Sequence, residues 1–309
     1  MSDTGHQAAP TQARWSRGRR LLSATLGALF YKSGLHRLAW RNQAVIVLFH
    51  RVDDRYPEDS LTCSRAQFAG YCDFFARHFK VVSLTELLAR MRSGADISRH
   101  LVITFDDGYR DNYHVAAAEL KKRGLPACFF VPTAFMGTNQ VAWWDQQQSI
   151  PSEWMTWDEV RSLRNDGFEV GAHTINHADC GCISGEVAQY EIVGSKAVLE
   201  AQLGDRINHF AAPYGDQTHM TEENRTIVRA AGFGCCLSTL RGTVRASDSP
   251  YNLKRIPIDT WFSSPHDFGF VAIRKWVLKN VVPRKRAAGD RSRNAGADRG
   301  VVSANARGS

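Results

Sequence analysis

The sequence predicts an α/β fold on a mostly parallel sheet, and three observations carry that expectation. From residue 44 onward, short runs rich in β-branched and aromatic residues alternate with stretches of helical character, as successive βα units do. The intervals leave little room for antiparallel hairpins. Neither an internal repeat nor a second compositional regime interrupts the pattern, so 309 residues at 43% hydrophobic content are read as one domain over about 44–280. A basic N-terminal segment (1–43) and a basic tail (281–309) flank it.

The strand candidates are Val45 to Phe49, Lys80 to Ser83, Leu101 to Phe105, Ala127 to Val131, Glu169 to Gly171, His209 to Ala212 and Gly234 to Leu237. Helices are expected over Ala66 to His78, Leu84 to Met91, Tyr113 to Arg123, Trp157 to Asp166, Gly185 to Leu203 and Thr221 to Ala231. Ser184 is placed to cap the fifth by accepting backbone N–H bonds, and Gly124, Gly167, Gly204 and Gly232 sit where left-handed C-terminal residues are expected. About seven strands suit a parallel barrel or an open doubly wound sheet, and periodicity does not separate the two. In both, chemistry collects at the C-terminal ends of the strands.

The formal charge of +8 is unevenly placed. Residues 1–42 carry seven basic residues and one acidic, and residues 279–309 carry eight and two, so each end is +6 and the middle is −4. The middle is thus mildly acidic, and no nucleic acid partner is expected. The run Pro283-Arg284-Lys285-Arg286, with the Gly-, Ala-, Ser- and Arg-rich sequence after it, reads as a disordered tail. At the other end, Arg17, Arg19 and Arg20 precede an apolar run from Leu21 to Tyr31 that lacks a clear small-x-small cleavage site. The run is also short of the roughly 20 apolar residues of a spanning helix. Leu22, Leu26, Leu29 and Phe30 recur at helical spacing, which predicts a peripheral helix able to contact a membrane surface. Seven cysteines, an odd number with no framework spacing, favour a reducing compartment. The expected location is therefore cytoplasmic or peripheral to a membrane.

Four clusters carry chemistry, each after a strand candidate. In Thr104-Phe105-Asp106-Asp107-Gly108-Tyr109, two adjacent carboxylates end an apolar run; one can bind a cation while the other stays free as a base. An Asp-Gly turn or a helix cap explains this motif alone equally well. In His173-Thr174-Ile175-Asn176-His177, two imidazoles four residues apart suit ligation of one divalent metal, and with Asp107 they make the three protein ligands that catalytic zinc uses. Phe210-Ala211-Ala212-Pro213-Tyr214-Gly215 is a tight turn that can aim the Tyr214 N–H into a pocket. His50 ends the first strand, where an imidazole can donate a proton to a leaving amine. The bland alternative there is a surface ion pair between Arg51 and Asp53 with His50 as a bystander. Trp143, Trp144, Trp154 and Trp157 can stack on sugar faces or simply pack locally.

Taken in order, these motifs resemble the NodB-homology polysaccharide deacetylases, carbohydrate esterase family 4, from about Val45 to Asp259. The resemblance extends to the Phe-His-Arg-Val entry at 49–52, Met155-Thr156-Trp157 and Ala230-Ala231-Gly232-Phe233. It implies a deformed parallel (β/α) barrel of about seven strands. It also implies a mononuclear divalent metal, usually Zn2+ with Co2+ or Ni2+ as alternatives, on Asp107, His173 and His177. Asp106 would be the general base and Tyr214 the backbone donor to the oxyanion. The substrate class implied is an acetylated glycan. Many relatives place an Arg where this chain has Ala211, and that Arg pairs with the catalytic Asp, so Asp106 must be tuned otherwise here. A late Leu-x-His motif is also missing, and His266 in Ser264-Pro265-His266-Asp267 matches it poorly, which makes His50 the candidate acid. Two alternatives stand beside an N-deacetylase: a catalytically silent glycan-binding barrel and an O-acetyl esterase.

Overall fold

Side-chain alternation sets the register of a closed ring. Seven parallel strands, β1 (Val45–Phe49), β2 (His100–Phe105), β3 (Cys128–Val131), β4 (Glu169–Ala172), β5 (His209–Ala211), β6 (Cys235–Arg241) and β7 (Leu253–Pro257), pair in chain order. The first and last also pair with each other, Val47 opposite Ile256, and this closes the barrel. The architecture is that of a computed structural model, which describes residues 17–59, 61–258 and 264–270. The expected domain end near 280 and the tail 281–309 lie outside the described residues.

Successive residues of a strand face opposite sides. Val45, Val47, Phe49, Leu101, Ile103, Phe105, Phe129 and Val131 pack outward into the core shared with the surrounding helices. Ile46, Val102, Cys128, Phe130, Ala211, Cys235, Leu237 and Leu253 form a second core inside the barrel, joined at its base by Leu84, Leu87 and Leu88 of the helix Leu84–Ser93. Each fully buried side chain of this kind stabilises the fold by about 1.5–3 kcal/mol. Gly171 is required here: a Cβ on it would lie 2.4 Å from the Phe130 ring that fills the interior.

The expected helices form at Arg65–His78, Leu84–Ser93, Trp157–Asn165, Gly185–Leu203 and Glu222–Ala230. The stretch expected over 113–123 is wider in its first turns, a π-type segment Asn112–Ala117 continuing as the helix Ala118–Lys121. Ser184 accepts from the Val187 N–H, and Gly124, Gly167, Gly204 and Gly232 all adopt positive φ. One strand expectation needs correction. Lys80–Val81 pairs beside the start of β2, outside the ring, and β7, which was not expected, takes the seventh place. Leu253-Lys254-Arg255-Ile256-Pro257 hides its strand character because two adjacent cations and a proline break the apolar pattern.

The N-terminal helix α1 (Arg17–Lys32) packs on the domain. Tyr31 is buried against Phe74 and accepts a hydrogen bond from the Trp40 indole at 3.0 Å. Phe30, expected on the same stripe as the leucines, instead packs against the core. The seven cysteines are unpaired, and only Cys182 is exposed.

Candidate active site

The inward alternation that fills the barrel with apolar side chains ends, at the C-terminal rim, in polar ones. Following Val102 inward come Thr104 and then Asp106; following Leu253 comes Arg255; following Gly171 comes His173. Arg255 is fully buried. Its guanidinium donates to both oxygens of Asp106, at 2.7 and 2.6 Å, and to the Ser238 carbonyl at 3.0 Å. Burial by itself would raise the Asp106 pKa, but Arg255 and then His173 outweigh it and hold the carboxyl below its ordinary range. This is the tuning that Ala211 does not provide, and sequence reading missed it because Arg255 comes from the unrecognised β7.

Asp107 leaves the strand alternation through a φ of +72°. One of its oxygens lies 3.4 Å from His173 Nε2 and 3.2 Å from His177 Nε2. The orientation of His173 is fixed from behind, since its Nδ1–H donates to the Ala211 carbonyl at 2.8 Å and so leaves Nε2 facing the carboxylates. The loop between the histidines is pinned by buried Glu191, which accepts the N–H groups of Ile175 and Asn176, both at 2.9 Å. Thr174, His177 and Tyr214 join Asp107 at positive φ. Left-handed backbone at four such residues around one centre is unfavourable, of order 1 kcal/mol or more each, and the surrounding bonds must hold it in place.

The donor set fits a divalent metal. Ligand atoms of Asp107, His173 and His177 lie within 4.8 Å of one another. A tetrahedral ion with bonds of about 2.0–2.1 Å sets its ligands roughly 3.3 Å apart, close to the two spacings observed. Burial raises the Asp107 pKa, but the two imidazoles overcome it and hold the carboxyl well below its usual range. Burial lowers the His173 pKa, and Asp106 and Asp107 together more than reverse that.

His50 stands at the same rim: its pKa is lowered by burial, against the opposing pull of Asp107 and Asp106. It is not a bystander to a surface ion pair. Arg51 is buried and pairs with buried Asp145, while Asp53 pairs with Arg55. Asp145 also accepts from the Tyr109 hydroxyl at 3.1 Å, which in turn accepts from the Trp144 indole at 2.7 Å, and the Trp144 ring sits 4.6 Å from that of His177. Tyr214 lies on the other side of His177, ring centroids 5.0 Å apart, with its hydroxyl accepting from Trp143 at 3.2 Å. Trp143 and Trp144 therefore border the centre. Trp154 is buried, stacked on Tyr109, and Trp157 packs against the core. His266 packs edge-on against Phe74, among the N-terminal contacts.

Two further donor groups escaped sequence reading. Cys128, Glu169 and His209 meet at the inner ends of β3, β4 and β5, where Glu169 accepts the Leu84 and Thr85 N–H groups at 2.7 and 2.9 Å and so caps the helix that plugs the base. Asp179, Cys182 and His219 gather on two rim loops, with His219 Nδ1 and Asp179 paired at 2.6 Å.

Comparison with known proteins finds the same architecture. The polysaccharide deacetylase family profile matches residues 93–235. YxkH of Bacillus subtilis (strain 168), named as a polysaccharide deacetylase, is 24% identical over 163 residues, 53% of each chain, so the match spans about half the length of that relative. Among solved structures, the Streptococcus pyogenes deacetylase PplD in complex with acetate superposes with a TM-score of 0.62 at 22% identity, over 73% of this chain and 96% of its own. IcaB from Ammonifex degensii gives 0.62 at 22% identity, over 76% and 97%. BC0361, a polysaccharide deacetylase from Bacillus cereus, gives 0.61 at 19%, over 75% and 69%.

Proposed function

Since the polysaccharide deacetylase family profile matches residues 93–235, we propose that the chain is a metal-dependent hydrolase removing acetyl groups from N-acetylated amino sugars of a polysaccharide or glycan. The observation that carries the reading is the convergence of Asp107, His173 and His177 at ligand spacing beside a separate carboxylate, Asp106, which Arg255 keeps ionised. Asp107, His173 and His177 would hold the ion. A divalent metal bound there supplies Lewis acidity, polarising an acetyl carbonyl and acidifying water.

The remaining work falls to this chain's own groups. Asp106, oriented by its two bonds to Arg255, accepts a proton from the attacking water. The Tyr214 turn offers its backbone N–H to the developing oxyanion, an interaction worth about 3 kcal/mol per donor. Because Arg255 keeps Asp106 ionised, that carboxylate holds no proton of its own at the start of the reaction, and His50 at the same rim is proposed as the separate group that protonates the leaving amine. Trp143 and Trp144 border the centre with flat apolar rings suited to sugar faces. The pairing of Arg255 with Asp106 also removes one motive for a catalytically silent barrel, which was the absence of an Arg at position 211.

The test is acetate release from a panel of N- and O-acetylated glycans. The expected result is N-acetyl hydrolysis that stops on chelation and returns with zinc, cobalt or nickel. Turnover of O-acetyl substrates alone would make the enzyme an esterase, and no acetate from any glycan with metal bound would overturn the hydrolase reading.

A further inference from the structure

Helix α1 packs on the domain through one stripe and presents its leucines to solvent. The buried stripe is Ser23, Gly27 and Tyr31. A Cβ on Gly27 would lie 2.0 Å from the His266 carbonyl oxygen, so the helix approaches as closely as a backbone can, and the Ser23 hydroxyl donates to buried Asp267. The opposite side carries Leu22, Leu26 and Leu29, which are 59%, 40% and 58% exposed, with Leu21 beside them. Leu35 and Leu38 extend the exposed series past the helix end, at 53% and 60%. A single exposed leucine is ordinary, whereas six within 18 residues concentrate apolar area in contact with water, as interaction surfaces do.

Charge identifies the occupant. Residues 17–43 contain Arg17, Arg19, Arg20, Lys32, Arg37 and Arg41 and no Asp or Glu. A second copy packed here would bring two segments of this net positive charge together, which disfavours self-association. Anionic headgroups above an acyl boundary satisfy both the leucines and the cations. Sixteen residues make a helix of about 24 Å, shorter than a hydrocarbon core of about 30 Å, and no helix among the described residues is long and apolar enough to cross a membrane. We propose that the leucine face of α1 docks the protein flat on an anionic lipid surface. This inference is independent of the deacetylase reading.

The experiment is co-sedimentation of the full chain with phosphatidylcholine vesicles, with and without phosphatidylglycerol. Binding is expected with phosphatidylglycerol and should weaken with salt. Leu22→Ser/Leu26→Ser/Leu29→Ser should lower it by at least about tenfold with the circular dichroism spectrum and melting temperature unchanged, because those side chains make little of the fold. Lys32→Glu/Arg37→Glu/Arg41→Glu should abolish the preference for anionic vesicles. No sedimentation with anionic vesicles, or undiminished binding by the triple serine variant, would overturn the proposal. So would a dimer in sedimentation equilibrium that the serine variant dissociates, without vesicle affinity.

Discussion

Arg255, on the strand that closes the barrel, donates one hydrogen bond to each carboxylate oxygen of Asp106, at 2.7 and 2.6 Å, with both side chains buried. Removing one partner of a buried ion pair costs about 3–5 kcal/mol, because the other charge stays behind unpaired. Arg255→Met should therefore lower the melting temperature clearly and reduce acetate release by on the order of 100-fold. Without the guanidinium, burial dominates and the Asp106 pKa rises, so the ascending limb of the pH–rate profile should move to higher pH. The stability sign is opposite to that of a raised carboxyl: a depressed pKa contributes above the unfolded value of about 3.9 and is lost as pH falls below it. Moving the cation across the barrel, as Arg255→Ala/Ala211→Arg, should recover part of the activity that Arg255→Ala loses.

The Arg51–Asp145 pair supports the wall of the site through Tyr109 and Trp144. Arg51→Met strands a buried carboxylate and should destabilise the protein by about 3–5 kcal/mol in a denaturant titration. Trp144→Phe keeps the ring near His177 but removes the bond to Tyr109, and should cost no more than about 1.5 kcal/mol.

Asp111 is a buried carboxyl whose pKa is raised to about 6, chiefly by burial, although it accepts the Val52 N–H at 2.7 Å. A raised carboxyl contributes stability below its unfolded pKa and loses it as pH climbs from about 4 through 6. Asp111→Asn should thus gain up to about 3 kcal/mol over the parent at pH 8 and nothing at pH 4, measured by thermal melts across that range. An equal effect at both pH values would contradict the assignment.

His50 is proposed to protonate a leaving amine, and the demand for an acid depends on the leaving group. His50→Gln should slow N-acetyl hydrolysis by about 100-fold or more while sparing an aryl acetate, whose leaving group needs no proton. Equal losses on both substrates would assign His50 a different task.

Much of this centre was legible because a parallel βα pattern sends the residues after its strands to one rim, so Asp106, Asp107, His173, His177, Tyr214 and His50 could be grouped before any geometry was known. The partner of Asp106 was not legible. Lys254-Arg255 in a proline-terminated run reads as surface charge, and only closure of the ring turns Arg255 inward. Arg51 is hidden for a related reason: its partner, Asp145, lies 94 residues away on the short helix Trp143–Gln147, which is not among the helices expected from the sequence. The helix caps at Ser184 and Gly204 were read correctly because they depend on local chemistry alone.

Among the described residues three donor groups can hold a metal, and two of them contain a cysteine. X-ray absorption on protein loaded with one equivalent of zinc separates them directly. Ligation by Asp107, His173 and His177 predicts a first shell of two imidazole nitrogens and light oxygen donors at about 2.0–2.1 Å, with no sulfur. A zinc–sulfur distance near 2.3 Å, or a shell without imidazole, would place the ion elsewhere and contradict the account.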